Sequence, residues 1–365
     1  MSFLRTTRDD VFFEDNAVGR MKKRIFEASP EAINAILAEY EMPSPSELVK
    51  EGCYIQNTPR HKVEENRRKN DIVFIPVGCT ENHGRHMPSW ADTYFVTCIC
   101  EGVRRYTAKK GRMVNLAMPP LAYGGHPYHH LGMPGTIPLS DGTVKAVLMD
   151  VMLGLWNDGF RKQMIINNHG QLWMLEAALQ EFMKKYQLPG IFRVIDWHRA
   201  TREFFLTKDR GGDWDTNFVH ADEAETSLAL FLFPEMVDMK FAVDTKGEAY
   251  LPDGHFGQSV DAVARPSRWS EGEGHAAIEI KSTPEGVVGF ATLGTAEKAK
   301  RPLAGILSYL TLVVDQILEA FPPGKVPPVE KVTFRTEEEM APFLKEPLSA
   351  GWKSVYELPV KPYSS

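Results

Sequence analysis

Asp71-Ile72-Val73-Phe74-Ile75-Pro76-Val77-Gly78 is the stretch from which the fold can be read. It is a short apolar run closed by glycine. That is the pattern of a β-strand buried on both faces, as in a parallel sheet covered by helices. The residues that follow it, Glu81-Asn82-His83-Gly84-Arg85-His86-Met87-Pro88-Ser89-Trp90-Ala91-Asp92, form the densest cluster of chemically able side chains in the chain.

Working outward, strand and helix signals alternate. A helix is expected over 91–109 and a Pro-broken strand near 114–122, followed by a Gly-, His- and Pro-rich loop. Ser140 is a plausible N-cap for a helix reaching about Asn157, where Gly159 ends it. Lys162–Asn168 reads as a strand, Leu172–Tyr186 as a helix, Gly190–Trp197 as a strand and Asp222–Phe233 as an amphipathic helix. Two late strands, 275–281 and 286–292, precede a long helix from Thr295 to Phe321 in which Pro302 is a candidate break. The alternation implies an α/β fold with a central, mostly parallel sheet flanked by helices in three layers. In such sheets ligands bind beyond the carboxyl ends of the strands.

The expected organisation is an N-terminal helical extension over 1–70, an α/β domain over 71–321 and a Pro-rich surface tail over 322–365. Helices in the extension should open at Ser29-Pro30 and Ser44-Pro45, each a capping oxygen followed by proline. The chain has 365 residues, 43% hydrophobic and 25% charged, with a formal charge of −6, which suits a globular protein and argues against nucleic acid or an anionic membrane as partner. Arg67-Arg68-Lys69 is diluted by Glu64 and Glu65 and reads as solvated surface. No apolar run is read as approaching the roughly 18 residues of a spanning helix. The N-terminus carries acids where a secretory signal has its apolar core, so a cytoplasmic location is expected. Cys53, Cys79, Cys98 and Cys100 form no C-x-x-C pair, and Cys98 and Cys100 read as small buried hydrophobes.

Four clusters carry potential chemistry. Glu81 and His83, two apart, point to the same side of an extended chain, and Asp92 opens the next helix, giving a mixed carboxylate–imidazole set suited to a metal. Asn167-Asn168-His169-Gly170 ends another buried strand, and His169 shares the crevice if the two strands are neighbours. His220-Ala221-Asp222-Glu223-Ala224-Glu225-Thr226-Ser227 opens a helix, where the acids also favour the positive helix end. Gly124-Gly125-His126-Pro127-Tyr128-His129-His130 is the fourth. Taken singly, Glu81 reads equally as a cap, His83 as a core histidine, His169 as a loop histidine, and Asp222 and Glu223 as a solvated helix start. Trp173, Trp197 and Trp214 read as core or pocket wall.

Together these stretches resemble the creatininase family. Glu81, His83, Gly84, His86, Pro88 and Asp92 match its Glu-x-His-Gly-x-His-x-Pro pattern with an aspartate eleven residues after the glutamate. His130 followed by Met133-Pro134-Gly135-Thr136, Asn167-Asn168-His169-Gly170 and His220 through Ser227 look like its remaining motifs. The resemblance implies two divalent metal ions (Zn, Mn, Fe or Co) and a homo-oligomer, a hexamer or dimer. It implies that Glu81 and His169 hold one metal, that His83 and Glu225 hold the other and that Asp92 bridges them. It implies His220 over a small cyclic substrate as proton carrier, with His130, Trp173 and Trp197 as further substrate contacts. Gln171 and Asp222 depart from the family pattern, at positions expected to lie against the substrate.

The long N-terminal extension and the Asn-Asn-His-Gly-Gln-Leu-Trp variant look most like the inositol-catabolic branch, which opens a cyclic diketone, 3-dehydro-scyllo-inosose. A cyclic-amide amidohydrolase (creatinine- or lactam-like) shares the same metal core, and a non-catalytic sugar-binding protein is the reading outside catalysis. A nucleotide-linked polyol dehydrogenase would want Gly-x-Gly-x-x-Gly after the first strand, and none occurs there.

Overall fold

Among the described residues, helices α1 (Ala17–Phe26), α2 (Pro30–Tyr40) and α3 (Arg60–Lys69) lead into the sheet. The computed structural model describes residues 10–43, 54–117, 121–125, 132–246 and 283–360. Helix α2 opens as Ser29-Pro30 dictates. Ser29 Oγ accepts from the Ala32 amide at 3.3 Å, and Pro30 takes the first helical position, where its missing N–H costs nothing. The opening expected at Ser44 lies outside the described residues. Arg67 is not solvated surface. It is buried and forks onto Glu346 of the tail, one of the two bonds at 3.1 Å.

The core then alternates: β1 (Ile72–Val77), α4 (Ala91–Lys109), β2 (Asn115–Leu116), α5 (Asp141–Asn157), β3 (Lys162–Asn167), α6 (Leu172–Tyr186), β4 (Ile191–Asp196), α7 (Trp197–Ala200) and α8 (Glu223–Leu232). The strands form one sheet in the order β2-β1-β3-β4, with every pairing parallel. Side chains alternate across it as period two requires. Ile72, Phe74, Met164, Ile166 and Ile195 join a core with α4, α8 and the N-terminal helices, while Val73, Ile75, Val77 and Ile165 join a second core with α5 and α6. Pro76 accepts from Leu121 N through its carbonyl, so the edge of Pro76 that lacks an N–H faces the β2 side and leaves the β3 ladder intact.

Two strand expectations need correction. The strand near 114–122 reduces, among the described residues, to Asn115–Leu116 and a single bridge from Leu121 to Val77. The late strand at 286–292 is replaced by isolated bridges, His220 to Val288 and Asp244 to Phe290. Gly286 and Gly289 there take φ of 68° and 127°, which prevents regular pairing. The strand expected at 275–281 lies outside the described residues.

Helix α9 (Ala296–Ala320) runs through Pro302 without a break and packs against α8, α1 and α2. It is long and apolar enough to cross a membrane by composition, contrary to the reading that no such stretch exists, but 56% of its apolar window is buried within the protein. Arg301 at its start donates to the carbonyls of Ile25, Phe26 and Ala28, closing the end of α1. Beyond it the tail forms α10 (Val329–Val332) and α11 (Glu337–Leu344), whose Val329, Met340 and Phe343 enter the second core. Buried Arg335 donates to the carbonyls of Tyr186, Gln187 and Pro359, pinning the tail over the end of α6.

Candidate metal centre

The sheet register builds the site. Val77 pairs with Asn167, and Asn167 with Asp196, so β1, β3 and β4 end side by side and release their chains at one rim. Glu81 and His83 follow β1, His169 follows β3, and α4 brings Asp92 to the same place in its first turn. Gly78 makes that approach possible: a Cβ there would lie 2.5 Å from the Thr93 Cα. Helix α8 delivers Glu225, and the residue before its cap, Ala221, takes the left-handed φ of 47°, a small strain beside His220.

All six side chains are buried. His169 Nδ1 lies 3.1 Å from Glu81 Oε2 and 3.1 Å from Asp92 Oδ2. His83 Nε2 lies 3.7 Å from Asp92 Oδ1 and 3.6 Å from Glu225 Oε2. Asp92 therefore turns one oxygen to each imidazole. His83 Nδ1 donates to the Glu81 carbonyl at 2.9 Å, which leaves Nε2 turned toward Asp92 and Glu225. That buried nitrogen has no hydrogen-bond partner. His220 Nε2 donates to the Asn82 carbonyl at 2.7 Å, and its Nδ1 sits 3.8 Å from both Glu81 Oε2 and Glu225 Oε2.

Crowding three carboxylates and three imidazoles in a buried space shifts their protonation. Burial alone would push His83 down, but Asp92 and Glu225 outweigh it and raise it to about 10. His169 likewise lies well above the usual range, because Cys79, Glu81 and Asp92 overcome its desolvation. Burial pushes Glu225 up to about 8, with the Asp92 charge adding to it against His83. Asp92 is raised by burial and lowered further by the two imidazoles, to about 2. The network holds protons where a cation would otherwise supply positive charge. Together with the orphaned Nε2 of His83 and the mixed carboxylate–imidazole donors, this fits divalent cations.

The residues around the donors hold them in place. Asn168 donates to Asp92 Oδ1 at 2.8 Å and accepts from the Trp197 indole. Trp197, expected against the substrate, is wholly buried behind the centre and positions Asn168 instead. Trp173 is 46% exposed on α6, and His130 lies outside the described residues. Gln171 and Asp222 also prove structural. Gln171 bonds Gly78 O, Gly125 N and Asn167, tying loops together. Asp222 caps α8 through the amides of Val219, Ala224 and Glu225 at 2.5, 2.9 and 3.2 Å, and burial raises it to about 7. Glu223 is buried too and takes Lys298 and the Thr216 amide.

A small open pocket reaches Glu81, His169, His220 and Glu225 from outside. Its other wall is made by Asp196, His198, Arg199 and Phe218. Sequence reasoning missed Asn168, Cys79 and this second wall. Cys79 shares a possible donor group with Asp92 and His169. The available signal was position, since Cys79, Asn168 and His198 each lie within two residues of the end of a strand.

The chain is 43% identical over 305 residues to a 3-dehydro-scyllo-inosose hydrolase of Thermotoga maritima, covering 84% of this chain and 96% of that protein. It is 26% identical to a creatinine amidohydrolase of Pseudomonas putida, over 69% of this chain and 90% of the relative. Its fold matches a crystal structure of creatininase at a TM-score of 0.55 and 21% identity, covering 75% of this chain and all of that one. A creatinine amidohydrolase-type structure from Bacteroides fragilis matches at 0.55 and 22%, covering 74% and 97%. Creatininase has also been solved in a manganese form and a zinc–zinc form. The creatininase (creatinine amidohydrolase) family model matches residues 56–314, well over half of the chain, and the chain is a hydrolase belonging to the creatininase family.

Proposed function

We propose that this hydrolase opens the ring of 3-dehydro-scyllo-inosose, a diketo-inositol, by C–C bond hydrolysis in inositol catabolism. The observation that carries this reading is the 43% identity to the Thermotoga maritima enzyme of that activity across nearly the whole of that enzyme. In this reading Glu81 and His169 hold one divalent ion, His83 and Glu225 hold a second, and Asp92 spans both. The separations of 3.1–3.7 Å between these partners support the pairing. Zn, Mn, Fe and Co all suit such donors. When bound, such ions polarise a carbonyl and let water act as a nucleophile at neutral pH.

The protein residues supply the rest. The Asn82 carbonyl fixes the His220 tautomer, so that Nδ1, beside Glu81 and Glu225, is the nitrogen that would take and return a proton. Cleavage of a 1,3-diketone releases carbon as an enolate, which needs a proton before it leaves. A cyclic amide would release nitrogen at the same place, and the relation to creatinine amidohydrolase keeps that chemistry as the alternative. The reading also includes a cytoplasmic homo-oligomer, a dimer or hexamer. The test is a hydrolysis screen of the metal-loaded protein with cyclic diketones, keto-inositols included, set against creatinine and lactams. Turnover of the diketo-inositol is expected, and turnover of the amides alone would overturn the reading.

A further inference from the structure

The second wall of the pocket contains a side chain that the metal chemistry does not use. His198 is 9% exposed, and its Nε2 is buried without a hydrogen-bond partner. Its ring is wedged among three others: Trp197 at 4.1 Å, Phe218 at 4.7 Å and Phe205 at 5.7 Å between centroids. A phenylalanine would fill that aromatic slot without burying an unpaired nitrogen, and an unpaired buried polar atom costs roughly 1–3 kcal/mol. The imidazole is therefore not explained by packing. Among the described residues His198 belongs to none of the groups close enough to share a metal.

The ring is oriented from behind. Asp196 ends β4 and is itself fixed by Asn167 Nδ2 at 2.9 Å, the Arg199 amide at 3.1 Å and the Arg199 guanidinium at 3.2 Å. Its Oδ1 stands 3.8 Å from His198 Nδ1. The carboxylate draws the ring proton to Nδ1 and turns Nε2 into an acceptor. A buried acceptor on a residue that lines the same pocket as Glu81, His169 and Glu225 matches a ligand carrying hydroxyls on its ring.

We propose that His198, oriented by Asp196, is a substrate-recognition residue whose Nε2 accepts a hydrogen bond from a ring hydroxyl of a polyhydroxylated cyclic ketone. This rests on the diketo-inositol reading and deepens it. A creatinine-like amide has no ring hydroxyl and leaves Nε2 unpaired, so the same group that welcomes a polyol disfavours the amide. Sites built to bond a hydroxyl discriminate strongly against analogues lacking it.

The experiment compares the metal-loaded wild type with His198→Phe and His198→Gln. The phenylalanine keeps the ring in its slot, and the glutamine restores a polar group near the Nε2 position. Calorimetry measures binding of scyllo-inosose, the monoketone that cannot undergo diketone cleavage, and kinetics measure kcat and KM for the diketo-inositol. His198→Phe is expected to weaken scyllo-inosose binding roughly 10- to 100-fold. It should raise KM more than it lowers kcat and leave the metal stoichiometry unchanged, and His198→Gln should recover part of the loss. Unchanged binding and KM in His198→Phe, with wild-type turnover intact, overturn the role of His198 alone. So does an equal loss in both variants. A wild type that neither binds scyllo-inosose nor turns over the diketone overturns the substrate reading and this inference with it.

Discussion

Asn168 is not one of the donors, yet it decides where Asp92 points. Its amide nitrogen holds Asp92 Oδ1 and its carbonyl is held by Trp197, so the orientation of the shared carboxylate is set two residues back from any cation. Outer partners of this kind are worth about 10- to 100-fold in metal affinity. Asn168→Ala is expected to lose that much in a chelator competition, with the fold intact by circular dichroism. An unchanged affinity would show that the Asp92 geometry is set elsewhere. At this scale the clustering of the candidate donors was legible because carboxylates and histidines recur at tight spacing after the ends of strands. Asn168, Asp196 and His198 were not, because their meaning comes from which strand ends lie beside one another. Trp197 was read as core or pocket wall and, by the resemblance, as a substrate contact, because an indole after a strand can face either the pocket or the layer behind it; its complete burial and its bond to Asn168 favour the layer behind.

From β1 to α9 the helices and long strands were read from periodicity, since burial on one or both faces leaves a pattern of 3.6 or 2, whereas α1, α3 and the tail helices α10 and α11 were not read. Short pairing was not. Two residues of β2 and the bridges at Val288 and Phe290 depend on partners distant in sequence and on the positive φ of Gly286 and Gly289. Helix α8 shows how an element can serve a site through its cap. Asp222→Ala removes the acceptor for three amides, one of them that of Glu225. It is expected to cost about 1–2 kcal/mol in urea denaturation and to lower metal occupancy together with it. Loss of stability with full occupancy would separate the cap from the site.

Helix α2 docks on α9 through Tyr40, whose hydroxyl meets Thr311 Oγ1 at 3.0 Å and whose ring stacks on Tyr106. Burial pushes the Tyr40 phenol up to about 12, although Thr311 pulls the other way. The folded state then holds this proton more tightly than the unfolded chain does. Its contribution is complete below pH 10 and falls away between pH 10 and about 12, by roughly 3 kcal/mol in all. Tyr40→Phe should flatten that alkaline decline in urea midpoints measured from pH 9 to 11. An unaltered decline would assign it to other groups.

Across the whole molecule, two cores sandwich one sheet, and the tail closes the outer side of the second core through Arg335 and Arg161, the latter donating to the carbonyls of Phe343 and Leu344. A buried pair, Lys162 with Asp71 at 2.6 Å, lies at the end of the sheet away from the metal centre, so the two ends carry separate electrostatic tasks. Ligands that bind only the native state raise its apparent stability with their concentration, by about 4 kcal/mol at a thousand times Kd. The melting temperature should therefore climb with added zinc or manganese and fall back with EDTA. A melt indifferent to both would leave the six clustered side chains without a cation to serve.

The alignment of Val77, Asn167 and Asp196 has a consequence in time as well as space. Strands β1 and β3 are separated in the chain by α4 and α5, so the acids and imidazoles cannot meet until a slow, long-range crossover has closed. A cation that needs donors from both strands is therefore expected to slow unfolding more than it speeds folding, which folding and unfolding rates with and without added metal would check.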